Sequence, residues 1–123
     1  MRCWFIGPLL LLCGCLTPTN RDPVLSDLAL KDWMDLKQIF QVSGGKYPTV
    51  LWNVAGKGSS FNNGLVLISL EVKNNPVVLR AHIRHEMFHA LTLLQDGKAT
   101  FLNGKKISDY VPGWTALKRK RRR

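Results

Sequence analysis

A chain of 123 residues has room for one modest core and too little for a two-lobed architecture. Its net charge of +10 is unevenly spread, with an unbroken cationic run at Lys118–Arg123. That charge is not interleaved with aromatic residues, which argues against specific nucleic-acid recognition, and no internal repeat is visible.

The first stretch, MRCWFIGPLLLLCGCL, reads as an export signal. Arg2 gives a positive start, and Phe5–Leu12 give a short apolar core interrupted by Gly7-Pro8. It is too short to remain in a bilayer as a spanning helix. Its end, Leu12-Cys13-Gly14-Cys15, resembles the bacterial lipobox, in which the Cys is acylated and becomes the first residue of the mature protein. On that reading residues 1–14 are removed and Cys15 carries lipid. The rest is then anchored to the membrane of a bacterial cell envelope, facing periplasm or exterior. The 3 cysteines lie at positions 3, 13 and 15, so cleavage leaves one lipidated thiol and no disulfide, although the compartment is oxidising. The alternative is an ordinary cleaved signal and a released, soluble protein.

Residues 15–23, ending TPTNRDP, read as a tether to a single domain over 24–117. Its first element is a helix over 24–42, capped by Ser26, with Leu25, Leu28, Leu36, Ile39 and Phe40 on one apolar face. Asp27, Asp32 and Asp35 fall toward water. Ser43-Gly44-Gly45 ends the helix. Residues 49–55, TVLWNVA, read as a strand, GKGSSFNNG as a flexible loop, and 64–72, GLVLISLEV, as the strongest strand in the chain.

The next element carries the chemistry. Asn75 is a good N-cap and Pro76 suits a first helical position, where no amide hydrogen is needed. A run of helix-permissive residues follows, and Asp96-Gly97 supplies a stop. Inside the run lies His85-Glu86-Met87-Phe88-His89, an H-E-x-x-H pentad. On a helix the two His stack one turn apart, so both imidazoles can reach one metal ion. Glu86 is rotated by about 100° from His85, beside the ion and within reach of a water held there. After the helix, KATFLNGKKI reads as a hairpin with a tight type I′ turn at Asn103-Gly104.

These residues resemble the zincin metallopeptidases, whose active helix carries the same pentad. The resemblance covers residues 49–110 and rests mainly on His85, Glu86 and His89. It implies that the two His bind zinc, Zn2+, that Glu86 is general base, and that a third ligand lies further along. It also implies that an edge strand near the metal takes the substrate backbone as an added strand. Residues 64–72 are the candidate for that part, with a purely structural central strand as the alternative. The fold expected is α+β, a small zincin-like domain with an N-terminal helix, a short sheet, the active helix and a C-terminal hairpin.

The third ligand is not Glu, because no Glu follows His89. His82 shares the helix face, but ligands at 82, 85 and 89 would span about 10 Å along one axis and could not converge on one ion. Asp96 is roughly 13 Å from the midpoint of the His pair on a continuous helix, and could ligate only if the helix broke early. Asp109 is free of this objection, since the hairpin could return it to the helix face. Its spacing of 20 residues from His89 (109 − 89) is that of the thermolysin-like branch, though that branch uses Glu on a second helix. Asp109 is therefore the expected ligand, with an ordinary turn carboxylate as the alternative. Tyr110, which adjoins it, is the candidate donor to a tetrahedral oxyanion, ahead of Tyr47 and His82.

The function expected is a zinc metallopeptidase acting on a peptide or protein substrate with Glu86 as general base. A non-catalytic zinc-binding envelope lipoprotein, or a basic lipoprotein that binds envelope surfaces, is the alternative. The tail at 118–123 is either a solvated end or a contact for anionic polymers and headgroups.

Overall fold

Two Asx-Pro pairs start the two helices. The structure, a computed structural model, describes residues 22–55 and 57–115; the stretch read as an export signal, Cys15 and the basic tail lie outside them. Helix α1, Pro23–Phe40, is capped by Asp22 and not by Ser26: the Asp22 carboxylate accepts the Val24 amide at 2.9 Å. Its other oxygen takes the indole N–H of Trp52 at 3.2 Å, which ties the helix start to the first strand. The helix buries Leu25, Ala29, Trp33, Leu36 and Phe40 on one face. Asp32 lies on that face and is fully buried, against the expectation that it faces water. Gln41, at φ 55°, turns the chain out of the helix.

The sheet has three strands in the order β1-β3-β2, formed by Thr49–Asn53 (β1), Ser60–Asn62 (β2) and Leu65–Ser69 (β3). β3 runs parallel to β1 and antiparallel to β2. Register sets Val50 beside Val66 and Trp52 beside Ile68, and all four are buried. This is the β-branched and aromatic pattern of a face packed on helices. β2 was expected to be loop. Asn63 and Gly64, at φ 51° and 79°, make the tight turn that pairs it with β3. The strongest strand is thus central, and the edge belongs to β2.

Helix α2, Pro76–Thr92, packs against α1 and the sheet through Leu79, Ile83, Met87, Phe88, Ala90 and Leu91. A second hairpin, Phe101–Leu102 (β4) with Lys105–Lys106 (β5), turns at Asn103-Gly104 as expected. Its Asn103 amide donates to the Phe40 carbonyl at 2.7 Å, satisfying an end of α1 that has no helical partner. Ile107, Val111 and Trp114 then close the core in an aromatic chain, with Phe40 against Phe88 at 5.2 Å and Phe88 against Trp114 at 5.0 Å. The described residues form a small α+β domain, and no helix among them is long and apolar enough to cross a membrane.

Asp22→Ala is expected to lower stability by about 1 kcal/mol near neutral pH, the usual cost of an N-cap. The Trp52 indole N–H, and after it the Val24 amide, hold the Asp22 carboxyl below the ordinary carboxylate range. A depressed carboxyl stabilises above its unfolded pKa, and the gain is lost as pH falls through the folded one. Wild type and variant should therefore converge below about pH 4 in urea denaturation.

Candidate metal centre

The end of α2 decides what meets the histidines. Asp96-Gly97 was the expected stop, yet the helix ends at Thr92, one turn after His89. Leu93 takes the left-handed conformation at φ 61° and caps the helix through its N–H on the His89 carbonyl at 2.7 Å. That conformation is unfavourable for a bulky residue. It is held by neighbours: the Thr92 hydroxyl donates to the Phe88 carbonyl and accepts the Leu94 amide, at 2.9 and 3.1 Å. The chain then doubles back over the helix end. Asp96 returns with it, so the distance argument against this residue, which assumed a continuous helix, is overturned.

The Asp96 Oδ1 atom lies 2.8 Å from His85 Nε2 and 3.4 Å from His89 Nε2. The ligand atoms of His85, His89 and Asp96 all fall within 4.8 Å of one another, and this group could hold a metal ion. The donor chemistry fits one. His85 Nδ1 is 2.8 Å from the Pro112 carbonyl and His89 Nδ1 is 2.6 Å from the Leu94 carbonyl. A carbonyl only accepts, so each Nδ1 carries the proton and donates it. In the neutral imidazoles that metal binding requires, both Nε2 lone pairs then face a carboxylate oxygen, acceptor against acceptor. A cation among the three resolves that opposition, and backbone carbonyls orient metal-binding imidazoles in this way. Tetrahedral zinc spaces its ligands by roughly 3.3 Å, close to the two Asp96–His separations.

The surroundings hold the imidazoles in place. Trp114, almost fully buried, packs its ring against both, at 5.9 Å from His85 and 5.2 Å from His89. Its indole N–H donates to the Ala99 carbonyl at 2.9 Å. Gly113 has φ 81°, and a Cβ there would approach His85 Nδ1 to 3.3 Å, so this bend beneath the ring suits glycine.

Glu86 is only 8% exposed, at the meeting of two clefts. Burial pushes its carboxyl above the ordinary range; the two imidazoles oppose the rise and Asp96 adds to it. One cleft, of about 590 Å³, runs from Glu86 and His89 past Asp96 and Gln95 along Phe61–Gly64. The other, of about 430 Å³, runs from Glu86 and His85 along Val77, Val78, Ala81 and Pro112. Ser59 and Glu86 line both, so the clefts adjoin as two arms of one trough, and the edge strand β2 walls the first arm through Phe61 and Asn62.

Two expected site residues are not brought to the histidines. Asp109 sits exposed in a 3₁₀ turn, Ile107–Asp109, and does not belong to the ligand group. The reason is register: Ile107 and Val111 are both fully buried, and the residue midway between them is left at the surface. Tyr110 packs its ring edge-on against Phe40 at 5.6 Å, and its carbonyl accepts from Arg84 Nε at 2.7 Å, a packing role away from the trough. Tyr47 stacks edge-on against Trp33. His82 is not a ligand; its Nδ1 lies 2.7 Å from the Ser59 hydroxyl. Sequence reading admitted Asp96 to the ligand group only for a helix that broke early, preferring Asp109, and it missed Ser59 as a lining residue. The second could have been found from Asn63-Gly64, a type I′ turn signal that makes the preceding residues a strand.

Comparison of the chain with protein-family models, with curated proteins and with solved structures returned no match. The functional reading rests on the site alone.

Proposed function

We propose that this chain is a small zincin-like, zinc-dependent metallopeptidase in which His85, His89 and Asp96 hold the ion and Glu86 is the general base. The observation that carries the reading is the convergence of two Nε2 atoms on the Asp96 carboxylate, beside a buried glutamate at the floor of a trough. When bound, the ion supplies Lewis-acid polarisation of a carbonyl and a water acidified toward neutrality. Glu86 accepts a proton from the attacking water and delivers it to the leaving amine. Its burial suits that exchange, because a carboxyl held above its ordinary range is a stronger base toward the water and keeps the accepted proton to a pH nearer neutrality, for transfer to the amine.

The trough supports a peptide over a small molecule. β2 has β3 on one side only, and its outer edge borders the trough, so an extended substrate can add to it as a strand. Val77, Val78, Ala81 and Pro112 offer one apolar wall, while Asn62, Asn63 and Gln95 line the other arm. The lipobox-like Cys15 supports a site of action in the cell envelope, with the domain held on a lipid anchor.

Metal analysis tests the ligand set. The purified chain should hold one zinc per molecule and lose it on Asp96→Ala or His89→Ala, while Asp109→Ala keeps it. Cleavage of peptides should stop with a chelator and return with zinc. Retention of stoichiometric zinc by Asp96→Ala would sink the assignment, and a zinc-loaded wild type that cleaves nothing would make this a metal-binding module.

A further inference from the structure

His82 and Ser59 form a pair inside the same trough that metal binding does not use. The Ser69 amide donates to Ser59 Oγ at 2.8 Å, and Ser59 Oγ lies 2.7 Å from His82 Nδ1. A main-chain N–H can only donate, so Ser59 is an acceptor toward Ser69. Its hydroxyl proton remains available to give to His82 Nδ1 at 2.7 Å. Given that way, it sets the imidazole proton on Nε2, and every donor in the chain of bonds points from the β3 backbone toward the ring. His82 lies one turn before His85 and Glu86 on α2 and lines the arm of the trough shared by both, along with Ser59.

We propose that His82 is a catalytic hydrogen-bond donor of this site, giving its Nε2–H to the oxygen that becomes negative when the scissile carbonyl is attacked, and that Ser59 is the positioning residue that fixes the required tautomer. The inference rests on the metallopeptidase reading and names a residue that the reading leaves without a part. A neutral donor held by the scaffold stabilises charge that develops only in the transition state, so it acts on kcat and not on substrate binding.

The test uses the zinc-loaded chain and an internally quenched peptide that the wild type cleaves. His82→Phe should lower kcat by about 10²- to 10³-fold, the usual loss for one oxyanion donor, with KM and zinc content unchanged. Ser59→Ala should lower kcat by about 10-fold or more with KM unchanged, as loss of a partner that orients a working imidazole does, and Ser59→Thr should restore it. Independently of turnover, nitrogen-15 NMR of the wild-type imidazoles should find the His82 proton on Nε2, and Ser59→Ala should shift the ring to a mixture of tautomers. A phosphinic peptide, which carries an anionic tetrahedral oxygen, should bind His82→Phe at least about 10-fold more weakly than wild type. Wild-type kcat in a zinc-loaded His82→Phe overturns this proposal and leaves the metallopeptidase standing. A wild type that binds zinc and cleaves no peptide overturns both. Should His82→Phe not fold, a His82 proton found on Nδ1 in the wild type overturns it.

Discussion

Glu86→Gln is expected to remove hydrolysis, by about 10²- to 10⁴-fold in kcat/KM, while zinc stays bound at wild-type stoichiometry. The two readouts separate because Glu86 does not belong to the group of atoms that can ligate: those are the imidazoles of His85 and His89 and the Asp96 carboxylate. Glutamine keeps the volume and loses the base. Nor should the fold suffer. Burial raises the Glu86 carboxyl above its ordinary range, so the folded metal-free chain binds a proton more tightly there than the unfolded chain does. By linkage, ionising that group costs stability progressively as pH rises from the unfolded pKa through the folded one. Metal-free Glu86→Gln should thus be at least as stable as wild type near neutral pH, with the difference vanishing below about pH 4. Parallel zinc analysis, peptide cleavage and denaturation of the metal-free proteins check all three. Cleavage by Glu86→Gln at the wild-type rate would remove Glu86 from its proposed role.

The parts of this molecule that could be read from the sequence are those governed by local chemistry. Asn75-Pro76 opens α2 because a short acceptor side chain and a missing N–H suit the first turn of any helix, whatever surrounds it. Asn103-Gly104 makes its turn because both residues tolerate positive φ. The stacking of His85 over His89 follows from helical period alone. What could not be read depends on contacts between distant segments. Leu93 has no intrinsic reason to turn left-handed; Thr92 and the cap on the His89 carbonyl make it do so, and this early stop delivers Asp96 in place of Asp109. The same limit applies to Asp32. A carboxylate on an amphipathic helix belongs in water unless its countercharges arrive from another element, and here they come from α2, about fifty positions along the chain.

Asp32→Ala is expected to be the most destabilising single substitution among the charged residues, at about 3 kcal/mol or more. The Asp32 carboxylate is fully buried and accepts from Arg80 Nη2 at 2.9 Å, Arg80 Nε at 3.4 Å and Arg84 Nη1 at 2.9 Å. Removing it leaves the two guanidiniums unequal. Arg80 is 47% exposed and can turn to water, whereas Arg84 is 16% exposed and cannot. Of its carboxylate partners Arg84 would keep only Asp35, at 2.8 Å and half-exposed, which screens little of a buried charge. A loss of that size is a large share of a stability of roughly 5–15 kcal/mol. It also reaches the metal centre: Arg84 Nε holds the Tyr110 carbonyl, and two residues on, the Pro112 carbonyl orients His85. Arg84→Ala should therefore weaken zinc binding more than Arg80→Ala does, although Arg80 makes more bonds to Asp32. Urea denaturation with zinc titration of the three variants measures both effects. A cost below about 1 kcal/mol for Asp32→Ala would mean that water reaches this carboxylate and that α1 and α2 are joined by their apolar faces alone. Replacing the whole network with apolar residues is a different experiment: it can be nearly neutral for stability, since no buried charge is left unpaired, and yet weaken zinc binding, because the Arg84 bond to the Tyr110 carbonyl beneath His85 would be gone.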